Sequence, residues 1–192
     1  MKALTLALAL LAAPALAEIA PMGDDGLHKE PWLRDTFKDL REDLIEANAE
    51  GRRLALMVEQ RGCVYCTQMH EEVFSDPAIR DYIAAHFFVV QVNLHGDTET
   101  VDFDGESLSE KAAARKWRVL FTPSILFLPQ EVGQGVNAAD AAVAVMPGAF
   151  GKGTTIDMFT WVAQERYLAE GDEDFQRYHA RRIRERSNGS TD

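Results

Sequence analysis

Five consecutive apolar residues, Leu54-Ala55-Leu56-Met57-Val58, admit few placements in a fold. No polar position interrupts them, so neither face of that strand can meet water. The run predicts a strand covered by helices on both sides. Gly62-Cys63-Val64-Tyr65-Cys66 follows, and Thr67 to Phe74 then reads as helical. Phe87 to Leu94 (FFVVQVNL) repeats the doubly buried pattern. A third strand, Phe121 to Leu128, carries Pro123 near its start, and a fourth, Ala142 to Met146, ends at Pro147-Gly148. Strands alternating with helices, then a hairpin and a last helix, predict an α/β fold: a mixed central sheet of about four strands with helices on both faces.

The helices are read from period and punctuation. Asp35 to Ala49 is amphipathic, with Phe37, Leu40, Leu44 and Ile45 in helical spacing and Gly51 as a C-terminal cap. Pro77 to Ala85 is a further short helix. His95 to Glu106 reads as an acidic loop, and Ser107 with Glu110 forms a capping box for a helix ending near Trp117. A helix opening at Thr154 places Ile156, Phe159, Val162 and Tyr167 on one side. Residues 33–170 are expected to form the domain, preceded by an irregular lead-in over 18–32. Residues 171–192 form a charged extension, helical from Asp172 to Arg186. From Phe175 onward five arginines face one Glu and one Asp, and a solvated helix is the favoured reading over a membrane or acidic-partner contact.

Met1-Lys2, the apolar run Ala3 to Ala13 and Ala15-Leu16-Ala17 have the layout of a secretory signal peptide over residues 1–17. The run is shorter than the ~20 residues of a membrane span. An exported, soluble chain is expected, in a compartment where disulfides form. The net charge of −11 argues against nucleic acid as a partner. Two cysteines exclude a multi-bridge scaffold and an all-cysteine zinc site.

The chemistry expected of those two cysteines follows from their place. A spacing of three residues on a first helical turn brings the sulfurs within bonding reach. Cys63 stands at the helix N-terminus, where unpaired N–H groups and the helix dipole stabilise a thiolate, the attacking species in disulfide exchange. Cys66, one turn in, would resolve the mixed disulfide. A purely structural bridge is the weaker reading, because so short a loop gains little entropy. Cys63, Cys66 and Met69 could instead hold Cu(I), with His70 nearby, although His70 reads as a helix-surface residue. A proline opening a central strand needs a reason. A cis Thr122–Pro123 bond would leave the Thr122 backbone free to pair with an extended substrate.

Residues 62–66, Thr122-Pro123 and Gly148 together resemble the thioredoxin superfamily over about residues 33–170. Residues 60–70 (QRGCVYCTQMH), 102–105, 109–111 and 121–123 look more narrowly like SoxW-type periplasmic thioredoxins. That resemblance implies a reductase of periplasmic protein disulfides, possible service in sulfur oxidation, and electrons from a membrane thiol transporter of the CcdA or DsbD kind. It implies no cofactor and no metal. It places Cys63 and Cys66 as catalytic residues and Val64, Tyr65, Thr122 and Pro123 against the substrate. A disulfide oxidant or isomerase is the alternative within the class, and a copper chaperone the alternative outside it. No dimerisation domain appears, so a monomer is expected. The sequence departs from classical thioredoxins: Gly62 replaces Trp, Val64-Tyr65 replace Gly-Pro, and Met57 stands where a buried Asp accepts the second cysteine's proton. Glu59, two residues on along the same strand face, is the candidate proton carrier. A calcium reading of the acidic loop fails, because Thr100 and Lys111 would fall at ligand positions.

Overall fold

The computed structural model describes residues 19–168 and 173–189; the expected signal segment lies outside them. Strand β2 (Arg53–Glu59) occupies the centre of a five-stranded sheet with the order β1-β3-β2-β6-β7. β1 (Leu33–Arg34) and β3 (Phe87–Asn93) run parallel to β2 on one side. β6 (Ser124–Phe127) and β7 (Ala144–Pro147) run antiparallel to their neighbours on the other. The central strand is the apolar run the sequence marks, and both of its faces are covered. Leu54, Leu56 and Val58 pack with Leu40, Leu44 and Ala114 from helices α1 (Leu40–Ala49) and α4 (Glu110–Lys116). Ala55 and Met57 pack on the opposite face with Met69, Ile83 and Phe159. These come from α2 (Val64–Met69), α3 (Pro77–His86) and α6 (Lys152–Ala163). Phe87, Phe127 and Phe159 meet edge to face, with ring centroids 4.8–5.8 Å apart.

Several boundaries differ from expectation for local reasons. The first helix starts at Leu40, because Asp39 caps it by accepting from the backbone N–H groups of Arg41 and Glu42. Phe37 therefore precedes the helix and is 94% exposed, and Ile45 also faces solvent. The capping box at Ser107 does not form. Ser107–Ser109 is strand β5, paired antiparallel with β4 (Glu99–Val101) inside the expected acidic loop. The helix begins at Glu110, whose carboxylate accepts from the Asn93 N–H and from Lys38. A short helix, α5 (Ala138–Ala141), interrupts the expected polar turn before β7. The third strand is shorter than expected, since Phe121–Pro123 is loop.

The two flanks are part of the packed structure. The lead-in is irregular, as expected, yet Leu27, His28, Glu30 and Trp32 are buried. At the other end, α7 (Phe175–Gly189) packs on α6 through Tyr178, Phe175 and His179. Arg181, Arg182 and Arg186 form ion pairs. Arg186 and His179 converge on buried Asp157, and Arg181 pairs with Glu173 and Glu185. Part of the basic charge of the extension is thus paired within the chain. No helix among the described residues is long and apolar enough to cross a membrane.

Candidate active site

The end of β2 and the start of α2 place the two cysteines. Gly62 turns the chain between them with φ +72°, a conformation that residues with a Cβ rarely adopt. Cys63 is then the N-cap of α2, in extended conformation, and its sulfur accepts from the Cys66 N–H at 3.0 Å. The sulfurs are joined as a disulfide with the Cα atoms 5.2 Å apart. Cys66 is 2% exposed and Cys63 8%, so Cys63 is the member nearer the surface.

The Thr122–Pro123 peptide is cis and lies against Cys63. The Thr122 carbonyl oxygen is 3.5 Å from the Cys63 sulfur, and the Thr122 hydroxyl donates to that sulfur at 3.4 Å. Gly148, in the loop after β7 with φ +93°, donates its N–H to the Pro123 carbonyl at 2.7 Å and fixes the loop. Val64, Tyr65, Leu120 and Phe121 are exposed around this point. The structure thus brings together Cys63, Cys66, Thr122 and Pro123, with Val64 and Tyr65 on the adjoining surface. Chemically, a sulfur that receives a backbone N–H and a hydroxyl at a helix start is equipped to carry negative charge.

Glu59 is the last residue of β2 and shares the face of Ala55 and Met57. It is 1% exposed. With Cys63, Cys66, Gln60, Leu27 and His28 it lines a small, partly open cavity. His70 corrects an expectation. It is fully buried rather than on the helix surface, because α2 runs into a π-helical turn (His70–Phe74) that directs the ring inward. Its Nε2 lies 2.9 Å from Glu59 Oε1, and its Nδ1 lies 2.8 Å from Glu30 Oε1. Burial pulls the imidazole toward its neutral form, but the hydrogen bonds to Glu30 and Glu59 outweigh it and carry His70 up to about 9. His28 stacks on His70 at 4.3 Å and is pushed down by burial and by the His70 charge. Gln91 donates to Glu59 Oε2 at 2.7 Å and to the His28 carbonyl. His28, Glu30 and Gln91 carry no sequence signal; only their tertiary position makes them partners of Glu59. Met69 is 1% exposed within the core, so its thioether is engaged in packing.

A helix-opening Cys-x-x-Cys pair, closed as a disulfide beside a cis-proline loop on a mixed sheet, defines a thiol–disulfide oxidoreductase. The sequence matches the thioredoxin-like domain family over residues 40–142, more than half of its length, and the chain belongs to that family. Among solved structures it resembles a thioredoxin-fold protein from Helicobacter pylori, with 19% identity and a TM-score of 0.57 over 72% of this chain and 86% of that one. It also resembles a thioredoxin from Thermus thermophilus, with 25% identity and a TM-score of 0.49 over 65% and 83% of the two chains. No curated protein sequence matches it.

Proposed function

We propose that the chain is an exported reductase of protein disulfides, acting in a periplasm and resembling the SoxW-type thioredoxins that serve sulfur oxidation. The observation that carries the thiol–disulfide exchange is the placement of Cys63, whose sulfur lies against the Thr122 backbone while Cys66 is the more buried of the pair; the resemblance of residues 60–70 to SoxW-type proteins supports the reducing direction. In the reduced protein the Cys63 thiolate attacks a partner disulfide, forming a mixed disulfide and expelling one partner thiolate. Cys66 then attacks Cys63, the Cys63–partner bond breaks, and the second partner sulfur leaves. The partner gains two electrons and the Cys63–Cys66 pair loses them. The exposed Val64, Tyr65 and Phe121 supply apolar contact, and the Thr122 backbone pairs with an extended partner segment. The signal-peptide layout of residues 1–17 supports export, and a membrane thiol donor of the CcdA or DsbD kind would restore the dithiol.

Trapping tests the proposal. Cys66→Ser, expressed in the native compartment, should retain partners as mixed disulfides through Cys63, and Cys63→Ser should retain none. Equal recovery from the two variants would refute the assignment of attacking and resolving roles.

A further inference from the structure

Residues 21–29 fold into a closed loop that the oxidoreductase reading leaves without a task. Lys29 donates its N–H to the Pro21 carbonyl and Gly23 donates to the Leu27 carbonyl, both at 2.8 Å, and Met22 bridges His28 in antiparallel pairing. Gly26 closes the tip with φ +75°, where a Cβ would meet the Arg61 side chain at 2.7 Å. The loop lies before the family match at residues 40–142, yet it is tied to the domain. Arg61 donates to the Asp24 and Asp25 carbonyls, Gln91 donates to the His28 carbonyl, and Leu27 is buried. A loop fastened at this many points presents its surface ready-made to a partner.

Met22, Leu27 and His28 line the same cavity as Gly62, Cys63 and Cys66. Met22 is the member of that wall open to a visitor, being 56% exposed. Gly62 contributes no side chain there, and no atom lies within 4 Å of the place its Cβ would take. We propose that the 21–29 loop is a second partner-binding wall of the exchange site, with Met22 selecting protein disulfides that carry an apolar side chain beside the reactive cysteine. The inference rests on the oxidoreductase reading and adds the kind of partner the site takes.

The geometry of exchange brings the partner to this wall. A mixed disulfide holds its two Cα atoms roughly 5.5 Å apart, so the partner's backbone comes down close to Cys63. Thr122 touches the Cys63 sulfur through its carbonyl at 3.5 Å and its hydroxyl at 3.4 Å. The cis-proline loop does not line the cavity shared with Met22, so two separate surfaces border the cysteines. A partner segment paired with Thr122 advances about 3.3 Å per residue, which sets a residue flanking its cysteine within reach of Met22. The unbranched, polarizable thioether adapts to apolar side chains of different shape. A small disulfide has no flanking residue and gains nothing from the contact. The wall itself makes and breaks no bond.

The test compares two oxidants of the reduced full chain: insulin, whose disulfides are flanked by apolar residues, and dipyridyl disulfide, which is small and uncharged. Second-order rates are read by acid quench and thiol alkylation. Met22→Ser should lower the insulin-to-dipyridyl rate ratio about three- to tenfold, and Met22→Leu should restore most of it. Gly26→Ala, which sets a Cβ against Arg61 and displaces the loop, should lower the ratio in the same direction. Circular dichroism and urea midpoints establish that each variant folds. If Gly26→Ala does not fold, Met22→Ser decides alone, at an exposed position. A role confined to structure or to thiolate chemistry would slow both oxidants alike. A wild-type ratio in folded Met22→Ser, whether neither rate falls or both fall together, overturns the wall. A wild-type dithiol that reduces dipyridyl disulfide but not insulin also overturns it. One that reduces neither overturns the oxidoreductase reading itself, so the failures are distinct.

Discussion

Stability of the oxidised protein should fall steeply on the alkaline side, and His70 sets the window. In the unfolded chain its imidazole titrates near 6.5; in the fold the carboxylates of Glu30 and Glu59 raise it to about 9. Below pH 6.5 both states carry the proton, and the clamp contributes fully. As pH rises toward 9 the unfolded state has lost the proton while the fold must keep it, so the contribution drains away. At about 1.4 kcal/mol per pH unit, the loss is about 3 kcal/mol. Typical domains have only about 5–15 kcal/mol in total. The assay is a series of urea midpoints from pH 6 to 9 on protein with Cys63 and Cys66 joined, so that no thiol titrates. Glu30→Gln, which removes one of the two hydrogen-bonded carboxylates, should reduce the total loss by about half, by ending the decline at a lower pH. A midpoint that stays level across this window, with an unchanged denaturant dependence, would refute the claim that the buried ring is held as a cation.

Three further changes have defined outcomes. Asp43, buried near the start of α1, is raised to about 6 by burial and by neighbouring Asp39 and Glu46. The unfolded chain ionises this carboxyl near 3.8 and the fold only near 6, so stability falls between those values; Asp43→Asn should gain about 2 kcal/mol at pH 8 and nothing at pH 3, by thermal or urea unfolding. Asp157 is held below the usual carboxylate range, because bonds from Arg186 and His179 outweigh its burial. Asp157→Ala should cost about 3–5 kcal/mol and raise hydrogen exchange along α7 before the sheet. Thr122→Val removes the hydroxyl donated to the Cys63 sulfur. Alkylation of Cys63 in the reduced protein should slow about threefold at neutral pH, with the fold intact.

The central strands were legible because doubly buried strands leave an uninterrupted apolar signature, as at Leu54–Val58 and in β3. The cysteines and the cis-proline were legible because their chemistry restricts where they can stand. Strand β1 was not, since Leu33–Arg34 is too short to show a period and is a strand only through pairing with β3. Ser107 failed as a cap because pairing with Val101 outcompeted local capping, and Glu110 found a better partner in the Asn93 N–H. Phe37 fits the helical spacing, but Asp39 starts the helix two residues later. Glu59 could be placed on the correct strand face by alternation alone. Its partners could not be read, since Glu30 and Gln91 stand 40 and 32 residues from the groups they meet.

A buried ion cluster is weak evidence of stabilisation, since well-packed apolar side chains often serve as well or better. The pH dependence of stability, not the presence of the cluster, is therefore what shows that the His70 ring is held as a cation. Glu30 and Glu59 each bond one ring nitrogen, at 2.8 and 2.9 Å, so either Gln substitution should shorten the alkaline window to a similar degree. Replacing both should leave the urea midpoint level between pH 6 and 9. A decline that persists in the folded double variant would assign the alkaline loss to groups other than His70.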